Sequence, residues 1–471
     1  MMPLWSAAEA VAATGGSSSG DWHAAGISID SRTVELGDLF IALSGPNFDG
    51  HDYVAAALAK GAAAALVSRR PDSIAADAPL LIVGDTQKGL EDLGRAARAR
   101  SQAKIVAVTG SVGKTGTKEA LKRAFERQGR AYASAGSLNN QWGVPLSLAR
   151  MSRDAAYGVF ELGMNHPGEI EALTLMVRPD IAIVTTVEAA HLGFFPSIEA
   201  IADAKAEIFK GLVPGGAAIL NRDNPQFDRL LQAARAVGVS RVISFGSHPD
   251  AAVRLVDCHL HATASAVTAS VMGEIFDYSI SLPGRHWVIN SLAVLAAVKA
   301  ADADVGVAAG AMATLSALEG RGKRFQITMN GGTVELIDDS YNANPASMRA
   351  AFAVLGTIEP IAGGRRIAVL GDMLELGTEA TRLHAELAAP IADADIALVF
   401  TLGDTMQALD AALPAARRGG HAATVDALAT MLEKKLKPGD VVLAKGSHGS
   451  RVYELVTKLV AAKPAPCAVK G

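Results

Sequence analysis

The chain has 471 residues, two cysteines and a formal net charge of −4 at pH 7. Against a domain prior of roughly 150 residues, a single core is untenable at this length. Lys and Arg are scattered rather than massed, which leaves no basic field for nucleic acid, and Cys258 and Cys467 stand outside any disulfide or zinc spacing.

The first 31 residues hold no Lys or Arg, and Pro3, Gly15 and Gly16 interrupt their apolar content, so the basic start of an export signal is missing. No apolar run reaches the roughly 20 residues that span a bilayer. A cytoplasmic location without membrane insertion is expected.

In chain order, the first hundred residues read as a small α/β unit. Short apolar strands at 39-LFIAL-43 and 79-PLLIV-83 are punctuated by Gly, Pro and Asn, and 55-AAALAKGAAAA-65 reads as an Ala-rich helix. This unit closes near Ser101. From Lys104 the rhythm becomes strand then helix. Strand 104-KIVAVT-109 precedes a helix from Lys114 to Gln128, strand 158-GVFEL-162 precedes a helix beginning near Pro167, and strand 180-DIAIVTT-186 precedes helix 197-SIEAIADAKAEIFKGL-212. Strands apolar throughout, alternating with amphipathic helices, indicate a buried parallel sheet.

The segment from Ala252 to Leu282 alternates without helical spacing and reads as antiparallel strands added to that sheet. Two helices, 286–300 and 305–318, follow it. The Gly- and charge-rich 320-GRGKR-324 marks a boundary. Beyond it, strands 334-VELID-338, 366-RIAVLG-371, 396-IALVFT-401 and 440-DVVLAK-445 alternate with helices as a second, Rossmann-like unit. The expected class is α/β in three domains: 1–102, a central phosphate-loop domain over 103–319, and 320–471.

The stretch 109-TGSVGKTGTKEA-120 follows an apolar strand and opens a helix. Backbone N–H groups at such a turn converge on an anion that the helix dipole also favours. The long form of the motif needs Gly where Val108 stands, so the match is to a shortened G-x-x-G-K-T running Gly110, Ser111, Val112, Gly113, Lys114, Thr115. Lys114 suits the β- and γ-phosphates and the Thr115 hydroxyl suits Mg²⁺. Glu161 ends the next strand and His191 follows the one after. In a parallel sheet both emerge at the carboxyl edge beside Thr115, and a divalent ion there needs such further ligands.

Several segments then carry a resemblance: 30-DSRTVELGDLFIALSGPNFDGHDY-53, 138-LNNQWGVPLSL-148, 161-ELGMNHPGEI-170, 190-AHLGFF-195, 283-PGRH-286, 338-DDSYNANPASM-348 and 369-VLGDMLELG-377. Together with the loop they are similar to the Mur ligases, ATP-dependent amide-forming enzymes of cell-wall precursor synthesis. The likeness runs along nearly the whole chain. Within that family, the sister that adds a third amino acid carries a DNPR signature in its C-terminal domain; here DNPQ stands at 223–226, in the central part. The resemblance therefore implies joining of D-alanyl-D-alanine to UDP-N-acetylmuramoyl-tripeptide through an acyl phosphate. The third-residue adder is the alternative.

Residue by residue, the resemblance implies that Glu161 and His191 are metal ligands and that Lys205 is a lysine several relatives carry as a carbamate, with ATP and one or two Mg²⁺ as cofactors. It sets Asn290 beside adenine, where relatives read His-Asn before it and this chain has His286-Trp287; Trp287 stacks on the base or packs in the core. Arg324 and Asp339 are implied to approach ATP from the linker and the third domain. Ser31, Arg32, Thr33, Asn47, Asp49 and His51 are similar to a UDP-binding segment, Asn139 and Asn140 to residues against the muramoyl-peptide. Tyr341, Asn342 and Asn344 are acceptor-pocket candidates, and also fit an Asn-Pro turn starting a helix at Pro345. Relatives carry KGSR where 445-KGSHGSRVYELV-456 stands, which leaves Lys445 and Arg451 without assigned roles. A monomer is expected. From other classes come a nucleotide-driven switch, although no guanine-reading N-K-x-D follows the loop, and a sugar-nucleotide binder without turnover.

Overall fold

The computed structural model describes residues 3–329, 331–361 and 363–462; Cys467 lies outside them. Among the described residues three large sheets, of five, nine and six strands, organise the chain.

In the N-terminal sheet the order is Ser17–Ser19, Leu80–Ile82, Ala64–Val67, Asp38–Ile41 and Gly26–Ser28, parallel except at the first pair. The Ala-rich stretch expected as one helix divides. Val54–Ala59 is helical, Gly61 turns the chain at φ +97°, and Ala64–Val67 is a fully buried central strand. Alanine has strong helix propensity, but pairing on both sides within the sheet overrides it.

The central sheet runs Ala131–Ala133, Tyr157–Glu161, Lys104–Thr109, Ile181–Val184, Ala217–Asn221, Arg241–Gly246 and Val253–Leu260, all parallel, then Ser265–Val271 and Glu274–Ile280, antiparallel as the alternating pattern predicts. Lys104–Thr109 pairs with Tyr157–Glu161 on one side and Ile181–Val184 on the other, so the loops leaving all three reach one edge. The helix expected over 197–212 is α-helical over Ile198–Ala206 and continues as a 3₁₀ turn over Glu207–Gly211. The one expected over 305–318 is α-helical only to Ala311.

The C-terminal sheet runs Lys323–Met329, Gly332–Asp339, Val441–Lys445, Arg366–Gly371, Leu398–Leu402 and Arg418–Ala422, with only its first pair antiparallel. Asp339 and Lys445 are register partners at its carboxyl edge. One helix belongs to two neighbourhoods: Gly143–Arg150 follows a central-sheet strand, yet Leu146 and Ala149 are buried in the N-terminal core with Trp5 and Leu93. Trp5 Nε1 donates to the Ala149 carbonyl at 2.9 Å.

Candidate active site

The loop between strand Lys104–Thr109 and helix Lys114–Glu126 is braced by its neighbour strand. Thr185 Oγ1 donates to the Val112 carbonyl at 2.6 Å, and Ser111 N donates to Thr186 O at 2.8 Å. Gly110 sits at φ +146°, and a Cβ there would lie 1.9 Å from Thr185 Oγ1. Gly113 is the helix N-cap, left-handed and without a side-chain cap, so the first-turn N–H groups are left to an anion. Trp287 lies over Gly116 and Asn290 against Gly113, each where a Cβ would collide with it.

Glu161 is 1% exposed and shared between two donors: Thr115 Oγ1 at 2.8 Å and Asn139 Nδ2 at 2.8 Å. Lys114 Nζ donates to Gly110 O at 2.6 Å. Burial pulls the Lys114 ammonium below its ordinary range, the Glu161 charge acts against that, and Arg321 adds to it.

These groups line a cavity of 410 Å³ that the central and C-terminal units share. Such a size is ordinary for a nucleotide-class ligand. Ser111, Val112, Gly113, Lys114 and Thr115 border it, with Asn139, Glu161, His191 and Asn290 on the central side. Arg324, Asp339, Tyr341, Asn342 and Asn344 border it from the C-terminal side. The apolar wall includes Leu282, Trp287 and Val354.

Other expected residues stand elsewhere. Gly110 belongs to the loop but does not line the cavity, and Asn140 Oδ1 caps the helix Gly143–Arg150 by accepting from Trp142 N and Gly143 N. Lys205 is buried outside the cavity lining, with no side-chain hydrogen bond among the described residues. Burial, and secondarily the Lys114 charge, holds its amine well below the ordinary lysine range. The 31–51 set forms its own surface on the N-terminal unit. Arg32 is exposed and pairs with Asp30 at 2.7 Å, Ser31 O accepts from Lys60, and Thr33 Oγ1 donates to Asp30 O. Asn47 is exposed. Asp49 accepts from the His51 backbone and ring and from Arg69, and buried His51 accepts from Ser68 N through Nε2. His51 thus holds two segments together.

On the C-terminal side the Asn344 side chain is committed to capping the helix Pro345–Gly356 through Ser347 N at 2.9 Å. Asp339 is raised by burial and drawn back by Lys445. Lys445 Nζ lies 2.7 Å from Asp339 Oδ2 and 3.0 Å from Asn342 O, a buried tie, whereas Arg451 makes an exposed pair with Glu454. The reading from sequence missed Arg321. Its guanidinium stacks 4.2 Å from the Tyr341 ring, reaches Ser137 Oγ at 3.3 Å, and lines the cavity, while Arg324 is tied to Glu335 and the Ala262 carbonyl. Nothing in the spacing of 320-GRGKR-324 signals this. Gly320 and Gly322, both left-handed, flank Arg321.

Among the described residues no group of three His, Cys, Asp or Glu is gathered for a metal. The adjacent oxygens of Thr115 and Glu161 fit a hard ion such as Mg²⁺, which takes one or two carboxylates and completes its shell with water and substrate phosphate.

Three family models match the chain: Mur ligase family, catalytic domain, over residues 23–104; Mur ligase middle domain over 108–298; and Mur ligase, glutamate ligase domain, over 323–448. A UDP-N-acetylmuramoyl-tripeptide–D-alanyl-D-alanine ligase of Escherichia coli is 36% identical over 438 residues, covering 92% of this chain and 93% of its own length. The Bacillus subtilis protein of the same name is 33% identical, with 92% and 93% covered. Among solved structures, MurF of Acinetobacter baumannii superposes with a TM-score of 0.83 at 29% identity, covering 97% of this chain and 99% of its own. MurF ligase of Thermotoga maritima in complex with ADP gives 0.76 at 25%, covering 92% and 96%. With likeness of this extent from end to end, the chain belongs to the Mur ligase family.

Proposed function

We propose that this chain is an ATP-dependent ligase that joins D-alanyl-D-alanine to UDP-N-acetylmuramoyl-tripeptide in peptidoglycan precursor synthesis, giving the UDP-N-acetylmuramoyl-pentapeptide, ADP and phosphate. One observation carries it: the phosphate loop and the 339–344 segment of the C-terminal unit face each other across one cavity. In this reading residues 1–102 hold the UDP end through Ser31, Arg32, Thr33, Asn47 and Asp49, 103–319 hold ATP, and 320–471 present the acceptor.

The chemistry needs activation because a carboxylate would have to expel oxide. Transfer of the γ-phosphate to a carboxylate oxygen gives an acyl phosphate. The acceptor amine then attacks the carbonyl carbon, the carbon–oxygen bond breaks, and phosphate leaves. Lys114, desolvated in the cavity, sets a weakly screened positive charge beside the transferred group. Arg321 extends that field from the linker. Asn139 fixes the Glu161 carboxylate, and Thr115 orients it. Thr115 and Glu161, with His191 on the same cavity, would hold Mg²⁺, which would supply neutralisation of phosphate charge.

Lys205 is assigned a carbamate. Its burial favours the neutral amine, the form whose nitrogen attacks CO₂ with loss of a proton. Action as a cytoplasmic monomer completes the reading. Among the described residues no helix is long and apolar enough to cross a membrane.

The test is phosphate release from ATP in the presence of the muramoyl-tripeptide nucleotide with either D-alanyl-D-alanine or single amino acids. Release only with the dipeptide is expected. Hydrolysis indifferent to both acceptors indicates the switch class, and release with a single amino acid on the muramoyl-dipeptide nucleotide indicates the sister ligase.

A further inference from the structure

Two loops from different units meet beside the cavity. One follows strand Ile181–Val184 and carries His191; the other follows strand Arg366–Gly371 and carries Glu375. Gly193 N donates to the Glu375 carbonyl at 2.8 Å, and His191 Nδ1 lies 2.5 Å from a Glu375 carboxylate oxygen. Both His191 and Glu375 adopt left-handed backbone, at φ 60° and 64°. Residues with a Cβ persist there only where their surroundings over-determine them. The backbones also approach closely. A Cβ on Gly193 would lie 3.3 Å from Glu375 O, and one on Gly377 would lie 3.1 Å from Gly193 Cα.

A histidine whose Nδ1 is held by a carboxylate has its tautomer and ring plane fixed, with Nε2 left as the functional nitrogen. His191 borders the cavity, and the group that holds it comes from the other unit. We propose that Glu375 is a positioning residue for His191: the 374–377 loop clasps the 190–194 loop, so that docking of the C-terminal unit and fixing of the imidazole at the cavity are one event. The consequence for ligation rests on the function proposed above; the clasp itself does not.

Hydrogen exchange of the full-length protein, read by mass spectrometry, tests the clasp. Glu375→Ala should speed exchange in peptides covering 190–195 by about tenfold, with the core strands unchanged. Gly193→Val, which wedges the loops apart without touching either side chain, should do the same. Turnover of Glu375→Ala should fall roughly 10- to 100-fold, as when the outer partner of a functional histidine is lost, while KM for ATP holds. Glu375→Gln, whose amide oxygen still accepts from Nδ1–H, should recover most of that turnover. Unchanged exchange in both Glu375→Ala and Gly193→Val overturns the clasp. Faster exchange with unchanged turnover overturns the positioning role and leaves the ligase reading intact. That reading falls separately, if the wild-type protein lacks dipeptide-dependent phosphate release.

Discussion

Lys114 and Lys205 show what burial does to the same side chain in two settings. Lys114 has Glu161 to oppose the cost of desolvation; Lys205 has only the repulsion of Lys114. For Lys114→Ala the expected outcome is a loss of ligation of roughly 10²- to 10³-fold, as for removal of a preorganised charge-stabilising donor, with a melting temperature no lower than the wild type. For Lys205, intact-mass measurement under CO₂ should show the mass of one added CO₂. Lys205→Ala should lose activity that short-chain carboxylic acids restore; full activity without them removes the carbamate. The two linker arginines separate by partner. Arg321→Ala should cost turnover at least about tenfold, the effect of a charge acting on the transition state, and Arg324→Ala much less, because Arg324 spends its guanidinium on Glu335.

At the scale of elements, the strand–loop–helix around Gly110 was readable because an apolar run, a shortened glycine motif and a helix start coincide within twelve residues of the sequence, 104–115. Its rigidity was not. Thr185, which braces the loop, comes just after another strand, Ile181–Val184. Gly110→Ala should abolish nucleotide binding and cost roughly 1–3 kcal/mol of stability from the forced φ and the overlap with Thr185, measured by denaturant unfolding. The Ala64–Val67 strand was misread for the opposite reason. Alanine carries a helical preference and no periodic signal, and only pairing with Asp38–Ile41 and Leu80–Ile82 makes it a strand. Asn140 and Asn344 were legible as polar residues in specific motifs, but both side chains cap helices.

In the whole molecule the N-terminal and central units are joined by more than a linker. Arg153 binds Glu9 at 2.6 Å and Arg98 Nε donates to the Val177 carbonyl at 2.8 Å. Burial raises the Glu9 carboxyl, but hydrogen bonds from Arg153 and Ser6 outweigh it and take it to about 2. A depressed carboxylate stabilises the fold above its ordinary value of 4.5 and loses that contribution as pH falls toward about 2. Glu9→Gln should therefore cost roughly 0.5–1 kcal/mol at neutral pH, screened because the side chain is partly exposed, and nothing near pH 2; unfolding at the two pH values checks it. The C-terminal unit is joined through Gly320 and Gly322, both left-handed, which suit a hinge. X-ray scattering should show compaction when both nucleotides and the dipeptide are added.

The sequence alone determined the α/β class, the strand–helix alternation around the phosphate loop, and the placement of Lys114, Thr115 and Glu161 at one sheet edge, because apolar periodicity and a glycine loop are local signals. Tertiary structure decided that Arg321 lines the cavity stacked on Tyr341 while Arg324, also at its wall, is tied to Glu335, that Lys445 ties Asp339, and that His191 is held by Glu375. Those contacts join residues up to 184 positions apart. Only chain folding brings such pairs together, and no local preference encodes them.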